Sequence, residues 1–232
     1  MSLKTNTILI RPASLGGDAD ELLENLGYAK RRRLKKPVPF ATAGGGSIWI
    51  GAIGDCTIIY KDLAWHFFDR FANNPDLPVP DPLDEFVFLK SSLLRQFPVA
   101  DIAALVLNGV VDAWGFAVFR NRALIRCCYG ADGAIFADEG ARLPAENDFL
   151  ANYDRIDADG QVLYRSRSHP SYEPMSVADL GEAFVCEVWR SFTGHEFDSP
   201  ELFHVQGTEF WLNDDEAEFR ARCGRPWWKF WG

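Results

Sequence analysis

The sequence lacks the residue patterns that identify most enzymes and metal proteins. Its four histidines form neither an HExxH nor an HxH spacing: they are His66, His169, His195 and His204. No serine has the Gly-x-Ser-x-Gly context of a nucleophile elbow, and glycines 44–46 precede a predicted strand without the Lys-Ser/Thr pair of a phosphate-binding loop. We therefore expect a non-catalytic protein without a metal or cofactor. The alternative is a small-molecule-binding or hydrolytic enzyme whose His and Asp/Glu residues, such as His195 and His204, converge from distant positions.

The sequence also lacks a disulfide framework and long hydrophobic runs. It has an odd number of cysteines and no CxxC spacing: they are Cys56, Cys127, Cys128, Cys186 and Cys223. Cys127 and Cys128 are adjacent, so on a strand they point to opposite faces. No window approaches the 18 apolar residues of a membrane span, and the first apolar run is too short for a signal peptide. We expect a soluble cytoplasmic protein with reduced thiols and no membrane partner.

Positive charge is scarce and is concentrated in one segment. The formal net charge is −9; residues 1–130 carry 15 basic and 13 acidic residues, whereas residues 131–232 carry 9 and 20. Residues 30–36 read KRRRLKK and contain no acid. The candidate binding residues for an anion or an acidic partner are Arg31, Arg32, Arg33, Lys35 and Lys36. In the other interpretation, this segment neutralises the acidic C-terminal half of its own chain.

The overall acidity makes nucleic acid an improbable partner, because an acidic protein repels the phosphate backbone. The basic segment also has no interleaved aromatic residues on which bases could stack. A protein partner fits the segment better.

Residues 101–139 give the main prediction of fold. Four apolar runs, at 102–107, 110–120, 122–129 and 134–137, are separated by turn signals at 108–109, 120–122 and 131–133. Asn-Gly and Asp-Gly tolerate the positive φ angles of tight hairpin turns. The pattern predicts a four-strand antiparallel meander. Further hairpins are predicted at 47–60, around Asp159-Gly160, and at 202–212 with its turn at Gln206-Gly207.

Three helices are predicted from periodicity and capping. Residues 18–26 are predicted to form a short one. A longer one is predicted at residues 82–97, which begin at Pro82 after the capping Asp81 and end before Pro98. Ser176 is the expected N-cap of the clearest helix, 176–192, with Asp179 three residues later and Gly194 just past its end. The fold class is therefore α+β, a mainly antiparallel sheet covered by two or three amphipathic helices. We expect one domain over 1–232, with a subdomain division at the proline-rich loop 73–82 as the alternative.

The chain ends in RPWWKFWG, and three of its eight tryptophans lie there: Trp227, Trp228 and Trp231. An apolar tail of this density is rarely left in water. It either folds over the protein's own core or anchors a partner, which includes a second copy of the chain. Homo-oligomerisation through this tail is one expectation.

Residues 110–147 read VVDAWGFAVFRNRALIRCCYGADGAIFADEGARLPAEN, and this segment resembles an uncharacterised bacterial family of domains of unknown function. In that family, a Trp-Gly/Ala-Phe-Ala strand precedes an arginine-bearing strand and an acidic-glycine turn that ends in Leu-Pro. Gly27-Tyr28 is similar as well. The resemblance implies a shared fold and no activity, cofactor or catalytic residue.

Overall fold

The computed structural model describes residues 4–13, 19–26, 31–33, 37–42, 47–60, 63–68, 89–109, 112–158 and 160–212. The strands within these ranges are β1 (Lys4–Arg11), β2 (Arg31–Arg33), β3 (Val38–Pro39), β4 (Ile48–Ile53), β5 (Cys56–Tyr60), β6 (Asp101–Asn108), β7 (Ala113–Arg120), β8 (Ala123–Ala131), β9 (Ala134–Gly140), β10 (Tyr153–Ala158), β11 (Gln161–Ser166) and β12 (Gln206–Leu212). The helices are α1 (Ala19–Asn25), α2 (Leu89–Gln96), α3 (Pro144–Leu150), α4 (Val177–Thr193) and α5 (Pro200–Phe203).

Ten of these strands form one antiparallel sheet. Its order is β2-β12-β4-β5-β1-β6-β7-β8-β9, and β3 also pairs with β12. β10 and β11 form a separate hairpin whose register runs from Tyr153↔Ser166 to Ala158↔Gln161. The predicted α+β class with a mainly antiparallel sheet is confirmed. Among the described residues, none of the helices has the length and apolar character needed to span a lipid bilayer.

Strands β6 to β9 follow one another in sequence and in space. Asn121 and Arg122 both have positive φ, and so do Asp132 and Gly133, as the two central residues of type I′ turns require. The first turn differs from the prediction. Asn108 pairs with Ala113, so the connection takes residues 109–112 and not Asn108-Gly109 alone.

The sheet buries both faces. On one face, Ile8, Ile102 and Phe119 pack with Leu22 of α1 and Leu93 of α2. The opposite face meets α4, where buried Leu180, Phe184, Val185, Val188, Trp189 and Phe192 pack with strand residues that include Leu105, Trp114 and Phe116. α4 has the predicted Ser176 cap, whose hydroxyl accepts a hydrogen bond from the Asp179 amide, and Gly194 ends it with φ of 76°.

The predicted hairpin at 202–212 was wrong, and one helix was not predicted. Residues 202–205 do not form a hairpin strand, because Ser199 caps the short helix α5 and Pro200 occupies its first turn. β12 is a strand, but it lies between β2 and β4. α3 was not predicted, although Pro144 opens it and the Glu146 side chain accepts the Leu143 amide hydrogen bond.

Several predictions fall outside the described residues. They include the start of the helix at 82–88, the loop 73–82, the N-cap Asp18 and the whole tail. The described part of the predicted 82–97 helix is α2.

Candidate functional site

The described part of the basic segment forms one end of the ten-stranded sheet. Arg31, Arg32 and Arg33 make up β2, which pairs antiparallel with β12 from Leu212↔Arg31 to Phe210↔Arg33. Within the described residues, β2 has no strand on its other side, so it is an edge strand. Lys35 and Lys36 lie outside the described ranges. The basic residues were predicted as a candidate site, but a strand was not predicted here. Three consecutive arginines lack the alternation of apolar and polar residues that is typical of a strand.

A buried carboxylate lies one strand in from this edge. Glu209 is on β12, is almost fully buried, and accepts a hydrogen bond from the Ser47 hydroxyl. It comes directly before Phe210, which pairs with Arg33. Trp49, which pairs with Glu209 from β4, donates its indole hydrogen to the Val38 carbonyl at 2.8 Å. The strand that supports the arginines is therefore fixed by polar contacts as well as by its ladder.

The opposite end of the sheet is acidic. β9 pairs with β8, and no other strand of the described residues pairs with it. Asp138 and Glu139 lie next to each other on β9, and both are exposed. Cys128 is opposite Asp138 and Cys127 is opposite Glu139, so the two carboxylates diverge to opposite faces. Carboxylates that diverge in this way cannot act together as an acid/base pair on one substrate.

Arg126 on β8 holds a buried ion pair that links the sheet to α3. Its Nε and Nη2 atoms donate to the Glu146 carboxylate at 3.0 and 2.9 Å, and both side chains are buried. Nη1 donates to Asp138 and to the Glu139 carbonyl oxygen. Burial alone would lower the pKa of Arg126, but the hydrogen bonds to Glu146 and Asp138 outweigh it and raise that pKa. Arg126 stays charged, and its donors are used internally.

Three of the described cysteines have thiols with raised pKa values. Burial raises the pKa of Cys56 and of Cys128 to about 12, and that of Cys186 to about 11. Each is therefore a neutral thiol near pH 7, and a neutral thiol is a poor nucleophile. Cys56, Cys127, Cys128 and Cys186 form no disulfide within the described residues. Cys223 is outside the described residues.

The histidines lie on different elements of the chain. His195 follows α4, and its amide donates to the Thr193 hydroxyl. His204 is the C-cap of α5, and His169 stacks on Tyr172 in an exposed loop. Among the described residues, no three His, Cys, Asp or Glu side chains gather closely enough to hold a metal ion. His66 belongs to a 3-10 turn at Ala64–Phe67.

One groove of about 540 Å³ lies where the β10–β11 hairpin meets the start of α4. Its lining includes Glu173 and Asp179 but neither His195 nor His204. Asp179 already accepts hydrogen bonds from the Ser176 amide and hydroxyl in the helix cap. The groove therefore brings no histidine and carboxylate pair together.

The buried pair between Arg126 and Glu146 was not predicted from the sequence. The two residues are twenty positions apart, and the residues next to each of them form no motif that predicts a buried ion pair. The only local sign was a glutamate three residues after Leu143 with a proline between them, which is a helix-start pattern. The missed pair positions α3 on the sheet, and Arg126 also contacts the acidic edge strand β9 through Asp138 and the Glu139 carbonyl oxygen.

Searches of curated proteins and of solved structures found no match to the chain. Residues 80–194, about half of the chain, match the model of a family of unknown function (DUF6928), so the resemblance to a domain of unknown function is confirmed and extends from before α2 to the end of α4.

Proposed function

We propose that this chain is a non-catalytic binding module that takes an extended acidic peptide segment at the arginine edge strand β2. The observation that carries the proposal is that Arg31, Arg32 and Arg33 form the edge of a ten-stranded antiparallel sheet. An edge strand offers backbone N–H and C=O groups to a further strand, and peptide-binding domains use this property.

The charge of β2 determines which peptide fits. Each of the three residues of β2 is an arginine, so the edge strand has a basic residue at every position. An added strand with Asp or Glu at matching positions would supply carboxylates to these arginines. Arginine pairs with carboxylates through two parallel hydrogen bonds, which gives both attraction and geometric selectivity. An acidic strand is thus the favoured ligand.

Other features support binding over catalysis. The thiols with raised pKa values are neutral near pH 7. The buried charges of Arg126 and Glu146 satisfy each other and hold α3 on the sheet. The remaining charge of the chain is acidic, so β2 is a local exception that attracts anionic segments while the rest of the surface repels them.

The remaining expectations are part of this proposal. We treat the chain as one unit because strands from both sides of residues 73–82 join the same sheet. We also propose a cytoplasmic location, because the described cysteines form no disulfide and reduced thiols are typical of that compartment. The tail with Trp227, Trp228 and Trp231 is proposed to pack on this chain or on a second copy. Deletion of residues 225–232 should lower the unfolding temperature or change the oligomeric state.

Fluorescence anisotropy with a labelled eight-residue Asp/Glu-rich peptide tests the proposal. Three peptides separate the contribution of charge from that of backbone hydrogen bonds. They are the acidic peptide, a peptide of equal charge in which alternate residues are proline, and a neutral peptide. Proline removes the N–H donors that a new strand needs, so the proline peptide should bind more weakly at equal charge. Binding of the acidic peptide should weaken as salt rises from about 0.05 to about 0.5 M.

Changing Arg31, Arg32 and Arg33 together to Gln should raise the Kd for the acidic peptide. With roughly 0.2–1 kcal/mol for each ion pair, the three changes amount to about 0.6–3 kcal/mol, or roughly three- to 150-fold. Arg165→Gln, in strand β11 of the separate hairpin, is the matched control and should leave the Kd unchanged. Retained affinity with an unchanged salt dependence in the triple variant would rule out β2 as the site.

A further inference from the structure

The two ends of the sheet carry charges of opposite sign. β2 consists of three arginines, whereas β9 carries Asp138 and Glu139 and follows Asp132 in the turn. The strand order places β2 and β9 at opposite ends of the same sheet. One molecule therefore presents a basic edge strand and an acidic edge strand that are not paired with each other in that sheet.

β9 has the properties of a strand that is available for pairing. It is seven residues long, and five of its residues are exposed. Its backbone pairs with β8 on one side, and no strand of the described residues lies on the other. Ile135 is also exposed, so the edge has one apolar residue in addition to its acids.

Charge decides which strand β9 accepts. Two β9 strands from two molecules would bring Asp138 and Glu139 of each close to the other pair, and like charges across a strand pair are destabilising. The Asp138 charge is shared with Arg126, but no ion pair of the described residues involves Glu139. A basic strand would compensate the negative charge of Asp138 and Glu139 at this edge, and β2 is a basic strand.

We propose that the acidic segment taken by β2 is β9 of a second copy of this chain, so that molecules associate head to tail by joining their sheets. This inference rests on the proposed function, since it names the partner of the same arginine edge. The contact is heterologous: each added copy leaves one β2 edge and one β9 edge unused, so growth does not stop at a dimer.

The contact is short, because β2 has three residues and covers less than half of β9. Such an interface lies at the small end of specific protein contacts, so association is reversible and appears only at high protein concentration. It weakens with salt, because opposite charges on the two edges provide the selectivity.

Sedimentation velocity of the full chain over a wide range of concentration, at about 0.05 and about 0.5 M salt, tests this. The expected result is a mean mass that rises beyond the dimer with concentration at low salt and falls back towards the monomer at high salt. Arg32→Glu and Glu139→Lys should each reduce the association constant at least tenfold. An equimolar mixture of the two variants should regain association, since each altered edge then meets a complementary one.

The control variants are Arg165→Glu on β11 and Glu173→Lys in the loop before α4, which make the same charge changes outside the ten-stranded sheet. Both should associate like the unaltered chain. Circular dichroism verifies folding of each variant. If Glu139→Lys folds poorly, Glu139→Gln removes the charge with little change in shape and should show a smaller loss in the same direction.

The outcomes separate this inference from the proposed function. A chain that binds the acidic peptide through β2 but stays monomeric at every concentration would overturn head-to-tail association and leave peptide binding in place. A dimer that forms more strongly at high salt would also overturn it, because that response indicates pairing of like-charged edges. An unaltered chain that neither binds the acidic peptide nor self-associates would overturn both proposals.

Discussion

The buried pair between Arg126 and Glu146 allows a sharp test through Glu146→Gln. The change keeps the size of the side chain and removes its charge. Glu146 is fully buried and accepts hydrogen bonds from Arg126 Nε, Arg126 Nη2 and the Leu143 amide. Without the carboxylate, a buried guanidinium keeps Asp138 as its remaining ionic partner, and the Asp138 side chain is 52% exposed.

The expected loss follows from the uncompensated charge. Breaking a buried ion pair by removing one partner costs about 3–5 kcal/mol, because the other charge stays buried. Since Asp138 still pairs with Arg126, we expect the low end of this range, about 3 kcal/mol. For a domain of this size, such a loss lowers the unfolding temperature by roughly 6–12 °C. It is also a large part of the ~5–15 kcal/mol that typically stabilises a folded protein.

Urea unfolding followed by far-UV circular dichroism measures the change in free energy. Asp157→Asn is the matched control, because the pair between Arg155 and Asp157 has side chains that are 63% and 71% exposed. That pair should contribute less than ~1 kcal/mol. The double variant with Arg126→Met and Glu146→Leu removes both charges and should be less destabilised than Glu146→Gln.

Two results would refute this reasoning. One is a loss below about 1 kcal/mol for Glu146→Gln, similar to that of the exposed control. The other is a double variant at least as unstable as Glu146→Gln, which would mean that packing around α3, and not the unpaired charge, determines the loss.

Three further predictions concern α4. Burial raises the pKa of Cys186 to about 11 from 9.0, so its alkylation at pH 8, followed by mass spectrometry, should be roughly 100-fold slower than in the urea-unfolded chain. Burial, then the charge of Asp179, raises the pKa of Glu182, so Glu182→Gln should stabilise the fold by about 0.2–0.5 kcal/mol at pH 7 in urea titrations. Gly181→Ala should destabilise by about 1–3 kcal/mol, because a Cβ there would lie 2.1 Å from the Trp114 ring.

The sign of the Glu182 prediction can be checked with pH. A carboxyl group with a raised pKa in the folded state contributes stability at low pH that is lost as pH rises through that pKa. The gain from Glu182→Gln should therefore be present at pH 7 and disappear in acid. A gain that is independent of pH would contradict the charge-based cause. Rapid alkylation of Cys186, or a stable Gly181→Ala variant, would contradict the packing of α4.

Local signals were sufficient for much of the fold. Ser176, Asp179 and Gly194 predicted the ends of α4 because capping depends on residues within one turn of each other. Asp132-Gly133 predicted its turn for the same reason. Gln206-Gly207 was misread as a turn because the next element along the chain is a strand whose partners lie more than 150 residues away.

The candidate site was only partly predictable. The basic composition of residues 30–36 identified Arg31, Arg32 and Arg33, but their position at a sheet edge depends on β12, which is far away in sequence. The position of Asp138 and Glu139 on the opposite edge strand was not predicted, because strand order across the sheet is not contained in any local pattern. Long-range strand pairing determines which charged residues lie on the edge strands.

The central position of β1 has a consequence for proteins that share the matched segment. Residues 80–194 contain β6 to β9 but not β1, which pairs with β6 along eight residues from Lys4↔Asn108 to Arg11↔Asp101. Alone, this segment would open the long edge of β6, where six of eight residues are buried, and such an apolar edge promotes aggregation. A relative that forms the same sheet therefore needs a strand equivalent to β1, from elsewhere in its chain or from another molecule. In this chain the matched segment supplies four of the ten strands, and the strand that covers its long edge lies outside it.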